Sequence, residues 1–456
     1  MQTDVQRKRN HNAFFKGAAW IAAGGFLSKL IGALYRIPLT NLIGGYGMGL
    51  YQLVYPLYTL LLTVSATGIP SSLAKLTAER TGAGLSPNPL LSTAFRLFLT
   101  LGGVGTAAMA ALAYPLSLAQ GAPEVTGGYL TLAPSVLLVS AISVYRGYFQ
   151  GKNDMFPTAA SEIAEQLVKV TVGLPLAWLF RNEPVKAVAA LLFAVSVAEG
   201  AALAFVSVYA RKKGREKLPL QNTSSPVSVK TVLKLSVPVT LSSALLPLSG
   251  LVDSVLIVRL LSTHTQNAVR LYGLFSGGAV TLVNLPVSVC YGLAAASIPA
   301  VAAEKDGQRQ RKKIRFSLLT TLAVSVPCAL ALFFLSGVAT NIVFPSLGKS
   351  EAQVLTSLVR IFSVSAVTLS CTQTLAACLT ALGKPLLATS SMAVAVTVKT
   401  LLTALWVGNP SISVYGAAMA TNICYLVAFL CNLYYNLRVT RKRKAGARMG
   451  KRQRVA

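Results

Sequence analysis

The sequence predicts an all-α polytopic membrane protein of about twelve spanning helices, arranged as two six-helix lobes around a central cavity. Three observations carry that prediction. The 456 residues are 54% apolar and only 12% charged, with a mean hydropathy of +0.60, where a soluble protein has roughly 25% charged residues. The apolar residues fall into runs long enough to cross a bilayer, which takes about 20 residues of helix. The Lys and Arg residues, 42 against 13 Asp and Glu, concentrate in alternate polar connections. A net charge of +29 often marks nucleic-acid binding. Here the bases lie between apolar runs, so no nucleic-acid partner is expected.

Taken in order, the apolar runs place spans at about 15–37, 47–68, 92–118, 128–149, 158–180, 187–210, 231–261, 272–298, 316–339, 353–381, 386–407 and 413–437. Arg7, Lys8, Arg9 and Lys16 give the first span the look of a secretory signal. Lys29 and Arg36 interrupt it and no clean cleavage site follows, so it reads as mature structure. The segment IGGYGMGLY (43–51) is glycine-rich enough for a phosphate loop. Its place between two spans makes it a tight reversal instead.

The connection RKKGREKLPLQNTSSPVSVK (211–230) is the longest polar stretch between spans. It divides an N-terminal six-helix lobe, 1–210, from a C-terminal one, 231–437, with a basic tail over 438–456. Thirty-two of the 42 bases belong to one set of alternate connections and four to the other, which puts both termini in the cytoplasm. The tail segment RKRKAGARMGKRQR (441–454) is suited to anionic lipid headgroups, at about 1 kcal/mol per base.

The two halves echo each other. LYRIPLTNLIGGYGMGLY (34–51) parallels VLIVRLLSTHTQNAVRLY (255–272), and TGIPSSLAKLTAE (67–79) parallels ASIPAVAAE (296–304). FQGKNDMFPTAASEIAEQLVKV (149–170) parallels TALGKPLLATSSMAVAVTVKT (380–400), each a Gly-Lys turn followed by a proline and a helix with one central lysine. Six spans per half give the copies the same orientation, about an axis along the membrane normal. Transporters of this plan hold substrate near the midplane.

Charges within the spans are the candidate site. An Arg or Lys at a helix centre costs about 2.5–3.5 kcal/mol on insertion scales, so it normally faces a wet cavity or a partner. Lys29 and Arg36 are two turns apart on one face of the first span, and Glu162, Glu165 and Lys169 form a stripe on the fifth. The repeat matches Arg36 with Arg259 and Lys169 with Lys399. These five bases form a basic cavity suited to an anion such as a phosphate or pyrophosphate. Two alternatives stand beside this reading: Glu165 and Lys169 can simply neutralise each other, and Arg259 can snorkel to outer headgroups. Glu162, Glu165, Glu199 and Asp253 serve as counter-ions or as carriers of a coupling Na+ or H+.

Catalytic and cofactor chemistry find little support. The six cysteines all lie in apolar segments of the second half without CxxC spacing, and read as small buried hydrophobes. His11 and His264 fall in polar segments, so no metal site is expected, and no phosphate-loop, nucleophile-elbow or zinc-hydrolase motif occurs. A membrane glycosyltransferase or polymerase would want charged outer loops, yet these carry only Glu124, Glu183 and Glu351 as acids. An enzyme and a cofactor are therefore not expected.

Two segments, FLSKLIGALYRIPLTNLIGGYGMGLYQLVYPLYTLLLTVSATGIPSSLAKLTAE (26–79) and YRGYFQGKNDMFPTAASEIAEQLVKV (145–170), carry a family likeness. They resemble the polysaccharide-export and lipid-flippase branch of the multidrug/oligosaccharidyl-lipid/polysaccharide exporter superfamily, most like the stage V sporulation protein B group and near the lipid II flippases. The resemblance implies a two-lobed V-shaped fold in a bacterial inner membrane. It implies outward flipping of an undecaprenyl-linked oligosaccharide or peptidoglycan precursor by alternating access. Lys29 matches a cavity arginine of the lipid II flippases, and Lys169 stands where relatives have arginine. LYTLLLTV (57–64) offers no match to their second-helix arginine, and no counterpart of their two extra C-terminal helices is read. A cation-coupled drug exporter of the same superfamily is the alternative, though drug cations favour an acidic cavity.

The topology is directly testable. Single cysteines placed in 119–126 or 262–269, in a chain freed of its own six, should react with an impermeant thiol reagent on intact cells. Cysteines in 211–230 should not, and their labelling from outside would break the twelve-span arrangement.

Overall fold

The computed structural model describes the backbone of residues 2–213, 229–302, 304 and 306–452, with side chains described from 24 to 213 and from 230 to 441 apart from scattered positions that include 29. The side chains of Lys29, of His11 and of the tail past 441, and most of the 211–230 connection, thus lie outside what is described. The chain divides into two compact units, residues 1–251 and 252–456. The first holds α1 (Gln2–Leu62), α2 (Gly68–Gly82), α3 (Asn88–Ala119), α4 (Thr126–Leu132), α5 (Pro134–Gly151), α6 (Phe156–Leu179) and α7 (Pro184–Lys213). Helix α8 (Val229–Ser262) runs across the division. The second unit continues with α9 (Ala268–Tyr272), α10 (Val280–Ala302), α11 (Gly307–Phe334), α12 (Ser336–Val343), α13 (Lys349–Phe362), α14 (Val364–Ala381), α15 (Pro385–Val407) and α16 (Tyr415–Arg452).

Among the described residues ten helical stretches are long and apolar enough to cross a membrane, and the chain is an all-α, multi-pass membrane protein. The twelve runs read from the sequence exceed these ten at two places. Helix α1 contains two of the runs, meeting at a kink at Gly44. Helix α6 is long enough but carries three charges, Glu162, Glu165 and Lys169, which set it apart from the other spans. Three runs are each divided between directly successive helices: 316–339 between α11 and α12, 353–381 between α13 and α14, and 128–149 between α4 and α5, where Pro134 opens α5. A proline there has no N–H to continue the ladder. Beside this break the Thr106 hydroxyl donates to the Ala133 carbonyl at 3.1 Å.

The kink at Gly44 has a backbone cause. Its φ of 66° lies in the left-handed region, where a Cβ would crowd the following carbonyl. The kink falls in the glycine-rich segment 43–51, where the sequence reads a reversal. Two π-helical segments, Thr63–Thr67 after α1 and Gly273–Ala279 after α9, fall in the second apolar run of each half. Such widened turns are rare and frequently accompany functional sites.

Close packing in the first unit depends on absent side chains. A Cβ on Gly151 of α5 would stand 2.5 Å from the Ala74 carbonyl oxygen and 2.5 Å from the Thr77 Cβ of α2, and one on Gly147 would meet the Pro70 backbone at 2.8 Å. Helix α1 likewise approaches α6 where Gly24 faces Ala159 and Gly32 faces Gln166. Small residues that let helix backbones meet are the usual means of association in lipid, where apolar burial supplies no drive. In the second unit amides do this work: Asn436 Nδ2 of α16 donates to the Leu375 carbonyl of α14 at 3.0 Å, and Asn422 Nδ2 to the Ile361 carbonyl at 2.7 Å.

Gly151→Ala should destabilise the protein by about 1–3 kcal/mol, since the backbone it meets has no rotamer to yield. Gly103→Ala meets nothing within 4 Å and should be neutral or stabilising by up to about 1 kcal/mol. Melting of the purified variants in detergent checks the contrast, and equal behaviour would refute the close α2–α5 approach.

Candidate functional site

Four helices of the first unit bring charge into its interior. Helix α6 carries Glu165 and Lys169 one turn apart, with Glu165 Oε1 3.6 Å from Lys169 Nζ. Helix α5 supplies Arg146, whose Nη2 lies 3.6 Å from the other oxygen of Glu165 and whose Nε donates to Ser161 Oγ at 2.9 Å. Helix α7 contributes Glu199, 3% exposed, which accepts from the Tyr58 hydroxyl of α1 at 3.3 Å. One oxygen of Glu199 and Nη2 of Arg146 are buried without a hydrogen-bond partner. Lys169 is within electrostatic reach of Tyr55, Glu165, Glu199 and Arg36. Glu162 lies one turn before Glu165, and its carboxylate would be 3.8 Å from a Cβ on Gly25 of α1.

The second unit holds a simpler group. Lys399 Nζ of α15 is bonded directly to Asp253 Oδ2 of α8, and each side chain is 11% exposed. Tyr272, Cys424 and Tyr425 lie within electrostatic reach of Asp253, and Cys424 also of Lys399. Arg259 stands apart from this pair, exposed in the last turn of α8.

The sequence-read residues therefore sort into sets. Arg36, Glu162, Glu165, Lys169 and Glu199 gather in the first unit, Asp253 and Lys399 pair in the second, and Arg259 is at a helix end. Among the described residues this part of the first unit holds the bases Arg36, Arg146 and Lys169 and the acids Glu162, Glu165 and Glu199, so the group is close to balanced. Arg146 is one of the thirty-two bases counted in the alternate connections, and in the sequence it stands shortly before the polar turn GKND. The structure turns it inward instead, with its side chain only 13% exposed. Tyr51, Tyr55 and Tyr58 were also passed over, although YQLVYPLY shows them at i, i+4 and i+7. Their rings meet in sequence, at centroid distances of 5.2 Å and 5.6 Å. An apolar cleft of about 450 Å³ opens elsewhere in this unit, at Leu130, Thr131, Pro134, Phe193, Ser196 and Val197. It has no charged lining and suits no headgroup.

Glu165 is the anion that Arg146 and Lys169 share. Glu165→Gln should destabilise the unit by about 3–5 kcal/mol, because it strands two buried cations. Lys169→Ala leaves Arg146 against Glu165 and should cost less. Melting temperatures in detergent rank the two, and the reverse order would refute the shared-anion arrangement.

Comparison with known proteins agrees with this fold. The chain is 29% identical to stage V sporulation protein B of Bacillus subtilis (strain 168) over 317 residues, covering 66% of this chain and 59% of that relative. It thus spans less than two thirds of that protein's length. It is 22% identical over 448 residues to the lipid II flippase MurJ of the same organism, covering 91% of this chain and 81% of MurJ. An inward-facing multidrug resistance MATE family transporter of the MOP superfamily superposes with a TM-score of 0.77 at 15% identity, covering 92% of this chain and 96% of that one. Residues 14–302 match the polysaccharide biosynthesis protein family, and the chain belongs to that family.

Proposed function

We propose that this protein flips a lipid-linked oligosaccharide or peptidoglycan precursor of the undecaprenyl-pyrophosphate type from the inner to the outer leaflet of a bacterial cell membrane, by alternating access and with both termini cytoplasmic. The observation that carries this reading is the buried ion cluster of the first unit, where Arg146 and Lys169 converge on Glu165. A pyrophosphate head that leaves water needs fixed positive charge along its route. Cations already held by a neighbouring carboxylate can be transferred to an incoming anion without ever standing alone in hydrocarbon.

Lys29 completes the proposal. By helical spacing, position 29 shares the stripe of Gly25 and Gly32, the two glycines of α1 that face Glu162 and Gln166 of α6. Counted with Lys29, the group of Arg36, Arg146 and Lys169 would hold four bases to the three acids Glu162, Glu165 and Glu199, which favours an anionic cargo over a cationic drug. Glu199, with one oxygen unpartnered, is the group proposed to take a coupling Na+ or H+. The proposed division of labour has 1–210 and 231–437 as the two lobes, 211–230 as their cytoplasmic linker, and the tail against anionic lipids.

Lys29→Ala should abolish or strongly reduce complementation of a flippase-deficient strain while its level in the membrane stays normal. Lys29→Arg should retain part of the activity, because charge survives while geometry changes. Full complementation by Lys29→Ala at normal protein level would remove the anionic-headgroup reading.

A further inference from the structure

Beside its charges, the interior of the first unit carries a row of phenols. Tyr51, Tyr55 and Tyr58 follow one another at i, i+4 and i+7 along α1. Tyr51 stacks on Tyr55 with planes 27° from parallel, and Tyr58 meets Tyr55 nearer edge-on, at 70°. Tyr51 and Tyr58 are buried, while Tyr55 between them is half-buried. The Tyr58 hydroxyl is engaged by Glu199, and Tyr55 lies within electrostatic reach of Lys169. The backbone of this stretch is fixed from α4 and from the end of α3. There the Leu53 carbonyl accepts from the Tyr129 hydroxyl at 2.9 Å and from Gln120 Nε2 at 3.0 Å.

We infer that Tyr55 is the contact for the sugar that adjoins the phosphate of the cargo, its ring lying against the C–H face of a pyranose while Lys169 meets the phosphate. This rests on the flippase reading above and narrows it: the cargo is told apart by its first sugar and not by its pyrophosphate alone. A phosphate needs only the cations, and a hydrocarbon tail is met as well by leucine. A pyranose instead offers an apolar C–H face within a rim of hydroxyls, and a tyrosine offers an apolar ring with a polar tip. The first sugar of such a lipid is bonded to the phosphate through its anomeric oxygen, so its contact must stand next to the phosphate's, as Tyr55 stands next to Lys169. Tyr51 and Tyr58 hold the Tyr55 ring from two directions, so little rotamer freedom is left to lose on binding.

The test is equilibrium binding of two probes to the purified full chain in detergent: undecaprenyl pyrophosphate, and the same lipid carrying N-acetylglucosamine on its pyrophosphate. Wild type should bind the glycosylated probe at least about fivefold more tightly. Tyr55→Leu should narrow that ratio to less than about twofold, and Tyr55→Phe, which keeps the ring, should keep most of it. Tyr55→Met, a flexible apolar filler, takes the place of Tyr55→Leu where the latter fails to fold. A wild-type ratio in the folded Leu or Met variant overturns the inference, and so does a preference lost in Tyr55→Phe. Wild type that binds both probes alike removes the inference and leaves the flippase reading standing. Wild type that binds neither counts against the flippase reading and takes the inference with it.

Discussion

A charge in hydrocarbon must find its opposite within the protein, and this constraint organises the interior of both units. Glu165 stands between Arg146 and Lys169, and Asp253 is held by Lys399. Each pair offsets a desolvation cost that neither partner could meet alone. The helices that bear these groups, α5, α6, α8 and α15, are constrained in rotation and depth by that need.

The uncharged polar groups obey the same rule at lower stakes. Hydroxyls in the spans turn back on their own helix, as Thr63 does to the Thr59 carbonyl at 2.7 Å and Thr421 to Ala417 at 2.8 Å. Others cross between helices, as where the Thr321 and Thr374 hydroxyls meet at 2.8 Å. With no water to accept them, these groups become the adhesive of the bundle, and the glycines of α5 let its backbone sit against α2.

The two units solve the constraint differently. The first spreads charge over α5, α6 and α7, lined by the tyrosine stripe of α1, so that several groups share each counter-charge. The second has one acid and one base from distant parts of the chain, flanked by Tyr272 and Tyr425.

Much of this was legible in the amino-acid sequence, because the preference for hydrocarbon is summed residue by residue along a run. The apolar segments, the break in the glycine-rich stretch 43–51 and the Glu165–Lys169 pair all follow from composition and from spacing along one helix. What the sequence could not reveal is what depends on the packing of separate helices. It did not show that Asp253 belongs to Lys399, that Arg146 turns inward from a turn-like context, or that Gly44 among its neighbouring glycines takes the left-handed conformation. Rotation and depth of one helix against another are decided by many weak contacts at once, and a linear pattern holds no record of them. Periodicity therefore determined which faces are apolar and which side chains share a stripe, while tertiary packing alone chose each charge's partner.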